Sequence, residues 1–74
     1  MKKDLTSVKE GISAEVKHLS SDGLSNRRLL DLGFVPGTRI TCLYAAPSGT
    51  PRAYLVRGAV VALRQNDAKK VLIF

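Results

Sequence analysis

The chain has 74 residues, of which 45% are hydrophobic, and twelve Lys and Arg against six Asp and Glu leave a net charge of +6. That length suits one domain over residues 1–74 and leaves no room for a second, and the apolar content excludes a disordered chain. With 1 cysteine no intramolecular disulfide is available, which points to a reducing compartment, and the longest apolar run, residues 59–63, falls far short of the ~20 residues that cross a bilayer. The N-terminal Met1-Lys2-Lys3-Asp4 has the charge of a leader peptide without the apolar run that would follow it, so a cytoplasmic protein is expected. The basic balance suits nucleic acid, an anionic lipid surface or an acidic protein. However, Lys2-Lys3, Arg27-Arg28 and Lys69-Lys70 are the only adjacent cations, and so dispersed an excess reads as a solubility feature rather than a phosphate track.

In chain order, residues 5–11 form a short lead-in, with room for one helical turn over 6–10. Residues 14–19 alternate and predict a first strand, with Ala14, Val16 and His18 on one side and Glu15, Lys17 and Leu19 on the other. Ser20-Ser21-Asp22-Gly23 is a loop in which Ser21 or Asp22 can cap the helix that follows. On that helix Leu29, Leu30, Leu32 and Gly33 share a broad apolar side, and Leu24 falls among Arg27, Arg28 and Asp31. Gly33 stands where a helix commonly closes in a left-handed conformation, and Pro36-Gly37 fits a turn that needs a positive φ at its third position.

A strand follows from residue 39, then a loop held by Pro47, Gly49 and Pro51, then a returning strand over 52–56. A hairpin symmetric about Gly49 sets Tyr44 opposite Tyr54, on one side with Ile40, Cys42 and Val56 and therefore in the core. The other side carries Leu43, Ala45, Ala53 and Leu55. Gly58 suits a bulge or sharp bend, residues 59–63 read as a strand, residues 64–68 as a polar connector with a 3₁₀ turn, and residues 71–74 as a last strand. Five short strands with one helix after the first predict a mostly β protein, a small, partly open barrel of SH3-like or OB-like kind.

No catalytic constellation assembles. His18 has no orienting partner near it in sequence, and Cys42 sits mid-strand on the core side, where a thiol behaves as a small hydrophobe. The two cannot make a metal site alone, since zinc or iron takes about three or four protein ligands. The six carboxylates show no paired spacing, and no glycine-rich phosphate cradle is present. An enzyme, a small-molecule substrate and a cofactor are therefore not expected. A single-strand nucleic-acid platform would need Tyr44 and Tyr54 facing water beside Arg39, Arg52 and Arg57, and packing of that side into the core is the better reading.

Four blocks of sequence carry a family resemblance. They are Leu29-Leu30-Asp31-Leu32-Gly33-Phe34-Val35-Pro36-Gly37-Thr38, Ala46-Pro47-Ser48-Gly49-Thr50-Pro51, Val56-Arg57-Gly58, and Ala62-Leu63-Arg64 with Asp67-Ala68. In these the chain resembles FeoA, the small accessory proteins of bacterial ferrous-iron transport. It departs at Thr50, where the family often has Asp, and residues 1–28 match only in layout. The resemblance implies an SH3-like barrel without enzymatic activity or an agreed metal site. It also implies docking on the cytoplasmic GTP-binding portion of the membrane ferrous-iron transporter, at the inner face of the membrane. A similar domain ends some metal-responsive transcription regulators, so a stand-alone interaction module is one alternative, and a nucleic-acid-binding small barrel is another. The contact residues expected are Leu43, Ala53 and Leu55, with Leu24, Arg27 and Arg28 as a second patch, and weak self-association through an exposed strand edge remains open.

Overall fold

The computed structural model describes residues 3–20 and 23–74, so the expected helix caps Ser21 and Asp22 lie outside the described residues. Helix α1 (Gly23–Leu32) ends in a crossed pair of bonds. Phe34 donates its backbone N–H to the Leu29 carbonyl and Gly33 donates to that of Leu30, both at 3.0 Å. This closure satisfies carbonyls that a helix end leaves free, and it needs a residue of positive φ. Gly33 supplies that with φ 111°. Three residues on, Thr38 donates to the Val35 carbonyl at 3.0 Å across Pro36 and Gly37, and Gly37 takes φ 91°. The turn is fastened to the first strand: Gly37 N–H donates to Val16 O at 2.8 Å, and Val16 N–H to Thr38 O at 2.9 Å.

Five strands, β1 (Ser13–Leu19), β2 (Arg39–Ala45), β3 (Arg52–Val56), β4 (Ala59–Leu63) and β5 (Val71–Ile73), form one antiparallel sheet in the order β4-β3-β2-β1-β5. The expected mostly β architecture is present, with the short helix after the first strand. A one-turn helix α2 (Gln65–Ala68) stands where a 3₁₀ turn was expected. A 3₁₀ turn, Leu5–Ser7, precedes the sheet and is capped by Asp4, whose Oδ1 accepts from Thr6 N–H at 2.9 Å and from the Thr6 hydroxyl.

Of the bulge or sharp bend expected at Gly58, the structure has the bend: Arg57 at φ 51° and Gly58 at φ 81° are the two central residues of a tight hairpin closed by the Val56/Ala59 pair. Two expectations of side and register are corrected. In the β2–β3 ladder Cys42 faces Tyr54 but Tyr44 faces Ala53, so Leu43 is an extra residue. A bulge of this kind reverses the alternation beyond it. Tyr44 is therefore exposed rather than in the core, and Ala45, expected outside, packs against the core. A second bulge lies between Val16 and His18 in the β1–β5 ladder. It turns His18 to solvent and lays Leu19 against the core, the reverse of the expected sides.

The core gathers Leu5, Val8, Val16, Leu29, Phe34, Ile40, Cys42, Tyr54, Val56, Leu63, Ala68, Val71 and Ile73. Phe34 and Tyr54 meet edge to face, 6.3 Å between ring centres and 89° between planes. Of the leucines on the predicted helix face only Leu29 is buried, and Leu30 and Leu32 are exposed. Leu5 and Val8 from the N-terminal segment add to the core beside it. A Cβ at Gly33 would lie 2.8 Å from Val56 Cγ1. Gly33→Ala therefore combines left-handed strain with a clash in the packed interior and should destabilise the fold by about 2–4 kcal/mol. Urea unfolding should show the midpoint falling with an unchanged slope.

Candidate docking surface

The side of β3 that faces outward is set by what β3 buries. Arg52, Tyr54 and Val56 point inward, with Arg52 only 8% exposed. The Arg52 Nε–H donates to the Tyr54 hydroxyl at 2.6 Å. Its Nη2 donates to the carbonyls of Val8 at 2.7 Å and Leu5 at 3.4 Å. The Tyr54 hydroxyl in turn donates to Leu5 O at 3.3 Å. Among the described residues no carboxylate takes part, and the cation is solvated by a phenol and by carbonyls at the start and just past the end of the 3₁₀ turn. A planar guanidinium with several fixed donors suits this role, whereas an ammonium offers a single point charge. Burial pushes the Tyr54 phenol above its ordinary value of 10.0, against the lowering effect of the Arg52 hydrogen bond and charge.

With those three residues inside, Ala53 and Leu55 face out. Leu55 lies between Thr41 on β2 and Val60 on β4, and Ala53 between Tyr44 and Ala62. Leu43, freed by the bulge, adds to the same face. Leu43, Tyr44, Leu55 and Val60 are all exposed, Val60 by 67%. The structure thus brings the expected contact residues Leu43, Ala53 and Leu55 together on one apolar surface. Tyr44 and Val60 belong to it as well. The sequence reading missed both, Tyr44 because its side depends on the bulge and Val60 because residues 59–63 read as a uniformly apolar run.

The second expected patch does not join this one. Leu29 of α1 enters the core beside the inward residues of β2 and β3, so α1 lies on the opposite side of those strands from Leu43 and Leu55. Leu24 is 88% exposed and lines a shallow depression with Asn26, Arg27, Leu30 and Asp31. Arg28 points elsewhere and forms an exposed ion pair with Asp67 of α2 at 3.1 Å, a contact worth little to stability in water.

The remaining reactive residues are dispersed. Cys42 is buried, its thiol directed at the Tyr44 carbonyl at 3.8 Å, and His18 is exposed. Among the described residues no three His, Cys, Asp or Glu side chains converge as metal ligands. The single-strand platform is not assembled either, because Tyr44 and Tyr54 lie on opposite faces and Arg52 is used internally. Among the described residues no helix is long and apolar enough to cross a membrane.

Comparison with known proteins matches residues 3–73 to the FeoA domain family, which extends the likeness through the N-terminal segment. A relative from Porphyromonas gingivalis, an Fe(2+) transport protein A/Fe(2+) transporter FeoB fusion protein, is 33% identical over 67 residues, covering 90% of this chain and 8% of its own length. The chain therefore spans a small part of that relative. The solution structure of iron(II) transport protein A from Clostridium thermocellum superposes with a TM-score of 0.90 at 28% identity, covering 95% of this chain and 43% of that one. The zinc-complexed FeoA of Stenotrophomonas maltophilia, described as a procaryotic SH3 domain protein, superposes with a TM-score of 0.86 at 29% identity, over 96% of this chain and 88% of that one.

The buried phenol supplies a pH test. In the fold Tyr54 keeps its proton at pH values where the unfolded chain has released it. Its contribution is therefore complete below 10.0 and is lost as the pH rises through the folded value. Tyr54→Phe should cost about 1 kcal/mol at neutral pH. That difference from wild type should shrink above pH 10.0 in urea unfolding followed by circular dichroism.

Proposed function

The chain belongs to the FeoA family, and from that premise we propose that it supports ferrous-iron uptake as a non-catalytic module docked on the cytoplasmic, GTP-binding portion of a FeoB-like membrane transporter. The observation that carries this reading is the fused relative, in which a segment matching 90% of this chain is covalently part of an FeoB-containing polypeptide. Covalent fusion holds two modules at high effective concentration, a function that a separate protein must replace with an interface. An apolar, uncovered sheet face is the surface on this molecule suited to that task. It is formed by Leu43, Tyr44, Ala53, Leu55 and Val60, and the basic excess of the chain favours approach to an acidic partner. Such docking would hold the protein in the cytoplasm at the inner membrane surface.

Binding of the purified protein to the soluble cytoplasmic domain of the cognate transporter, measured by calorimetry, tests the reading. Leu55→Glu and Leu43→Glu place a charge in the centre of the contact and should weaken binding by about tenfold or more, while Leu24→Glu leaves it unchanged. The reverse pattern would move the contact to α1. A folded wild-type protein that does not bind the domain would remove the transporter from the proposal.

A further inference from the structure

The two edges of the sheet are treated differently. The outer edge of β5 is covered by the N-terminal segment, where Asp4 bridges to Leu72 and Ile73 N–H donates to Lys3 O at 2.9 Å. Among the described residues no strand pairs with the outer edge of β4. Because the tight turn closes on the Val56/Ala59 pair, ladder alternation aims the amides of Ala59, Val61 and Leu63 at β3 and those of Val60 and Ala62 away from it. Among the described residues no backbone bond from a loop or turn reaches Val60 or Ala62. Soluble proteins usually blunt such an edge with a lysine, a proline or a bulge. The run Ala59-Val60-Val61-Ala62-Leu63 has no lysine or proline, and its pairing with β3 shows no register shift.

Charge selects the occupant. Arg57 and Arg64 stand at the two ends of β4, both exposed, and neither is in an ion pair among the described residues. In an antiparallel pairing of two copies centred on Val61, Arg64 of one copy would lie opposite Gly58 of the other and one residue from its Arg57, between chains that each carry +6. Like charges brought so close oppose the pairing. A strand with acids at its ends meets attraction at both.

We propose that the β4 edge is a strand-addition site for an extended apolar segment, about five residues long and flanked by acidic residues, supplied by another polypeptide. This rests on the docking reading and names its mode of recognition: main-chain bonds to Val60 and Ala62, continuous with the apolar face beside them.

The probe is the synthetic peptide Glu-Glu-Val-Thr-Val-Thr-Val-Glu-Glu, titrated into isotope-labelled protein and followed by amide resonances and hydrogen exchange. Binding should shift and protect Val60 and Ala62, and the same peptide with Lys in place of Glu should bind at least about tenfold more weakly. Ala62→Pro removes an outward N–H without touching the β3 ladder and should also weaken binding by at least about tenfold. Should that variant fail to fold, peptides N-methylated on alternate residues ask the same question, one set binding and the other not. Absence of binding, or protection elsewhere, overturns the proposal. Concentration-dependent protection of Val60 and Ala62 without peptide names a second copy as occupant and overturns the acidic-partner assignment. The transporter domain separates this from the docking reading. A domain bound equally by wild type and Ala62→Pro, yet weakly by Leu55→Glu, overturns the edge and keeps docking. Peptide capture at the edge without any domain binding keeps the edge and removes the transporter.

Discussion

The Arg52 guanidinium is withdrawn from water with no carboxylate partner among the described residues, and is held by the Tyr54 hydroxyl and by the carbonyls of Leu5 and Val8. A buried cation is tolerated only where its donors are matched, because an unmatched one costs several kcal/mol, on the order of the stability of a small domain. The N-terminal segment meets that demand, and in doing so it delivers Leu5 and Val8 to the core. The hydrogen bonds therefore organise more apolar surface than they touch. They also fix which way β3 faces, since Arg52, Tyr54 and Val56 cannot be inside unless Ala53 and Leu55 are outside.

Register connects this anchor to the surface. Arg52 lies opposite Ala45, and this pairing coexists with the Cys42/Tyr54 pair only if β2 accommodates one residue more than β3 between them. Leu43 is that residue. One bulge thus lets Ala45 pack inward beside the anchor and places Leu43 and Tyr44 together in solvent. The apolar outer face is a consequence of core geometry rather than a separate feature of the chain. At the other end of β2, the Gly33 closure and the Pro36-Gly37 turn hold α1 and β1 in place, so the strand is constrained at both ends.

What could be read from residues alone follows from this division. The corner at Gly33 and Pro36-Gly37 was legible because its chemistry is local: positive φ and a preset proline are properties of two or three adjacent residues. The strands β3 and β4, the helix after β1 and the grouping of Leu43, Ala53 and Leu55 on one side were legible from alternation. Tyr44, Ala45, His18 and Leu19 were not, because a bulge is a decision between two strands and leaves little trace in either. Arg52 gave no local sign of burial, since the carbonyls it donates to lie 44 and 47 residues earlier in the chain. The helix face was read too broadly: Leu30 and Leu32 stay exposed, and Leu5 and Val8 supply core surface from a distant part of the chain.

A chain this short has little interior with which to do chemistry, and the structure uses most of its polar interior to hold itself together. The surface it leaves over is uneven. The inner side of the sheet is filled by α1, α2 and the N-terminal segment, and the β5 edge is closed by residues 3 and 4. The outer side of β2, β3 and β4 keeps its leucines and Val60 in water, and on the β4 edge beside it the amides of Val60 and Ala62 have no backbone partner among the described residues. Exposed apolar side chains and free backbone donors carry an aggregation hazard, one that a +6 charge offsets by repulsion between copies. The same repulsion that keeps copies apart becomes attraction toward an acidic strand. A face and an edge that meet along Val60 therefore form one surface suited to a partner of opposite charge and unsuited to a second copy of this chain.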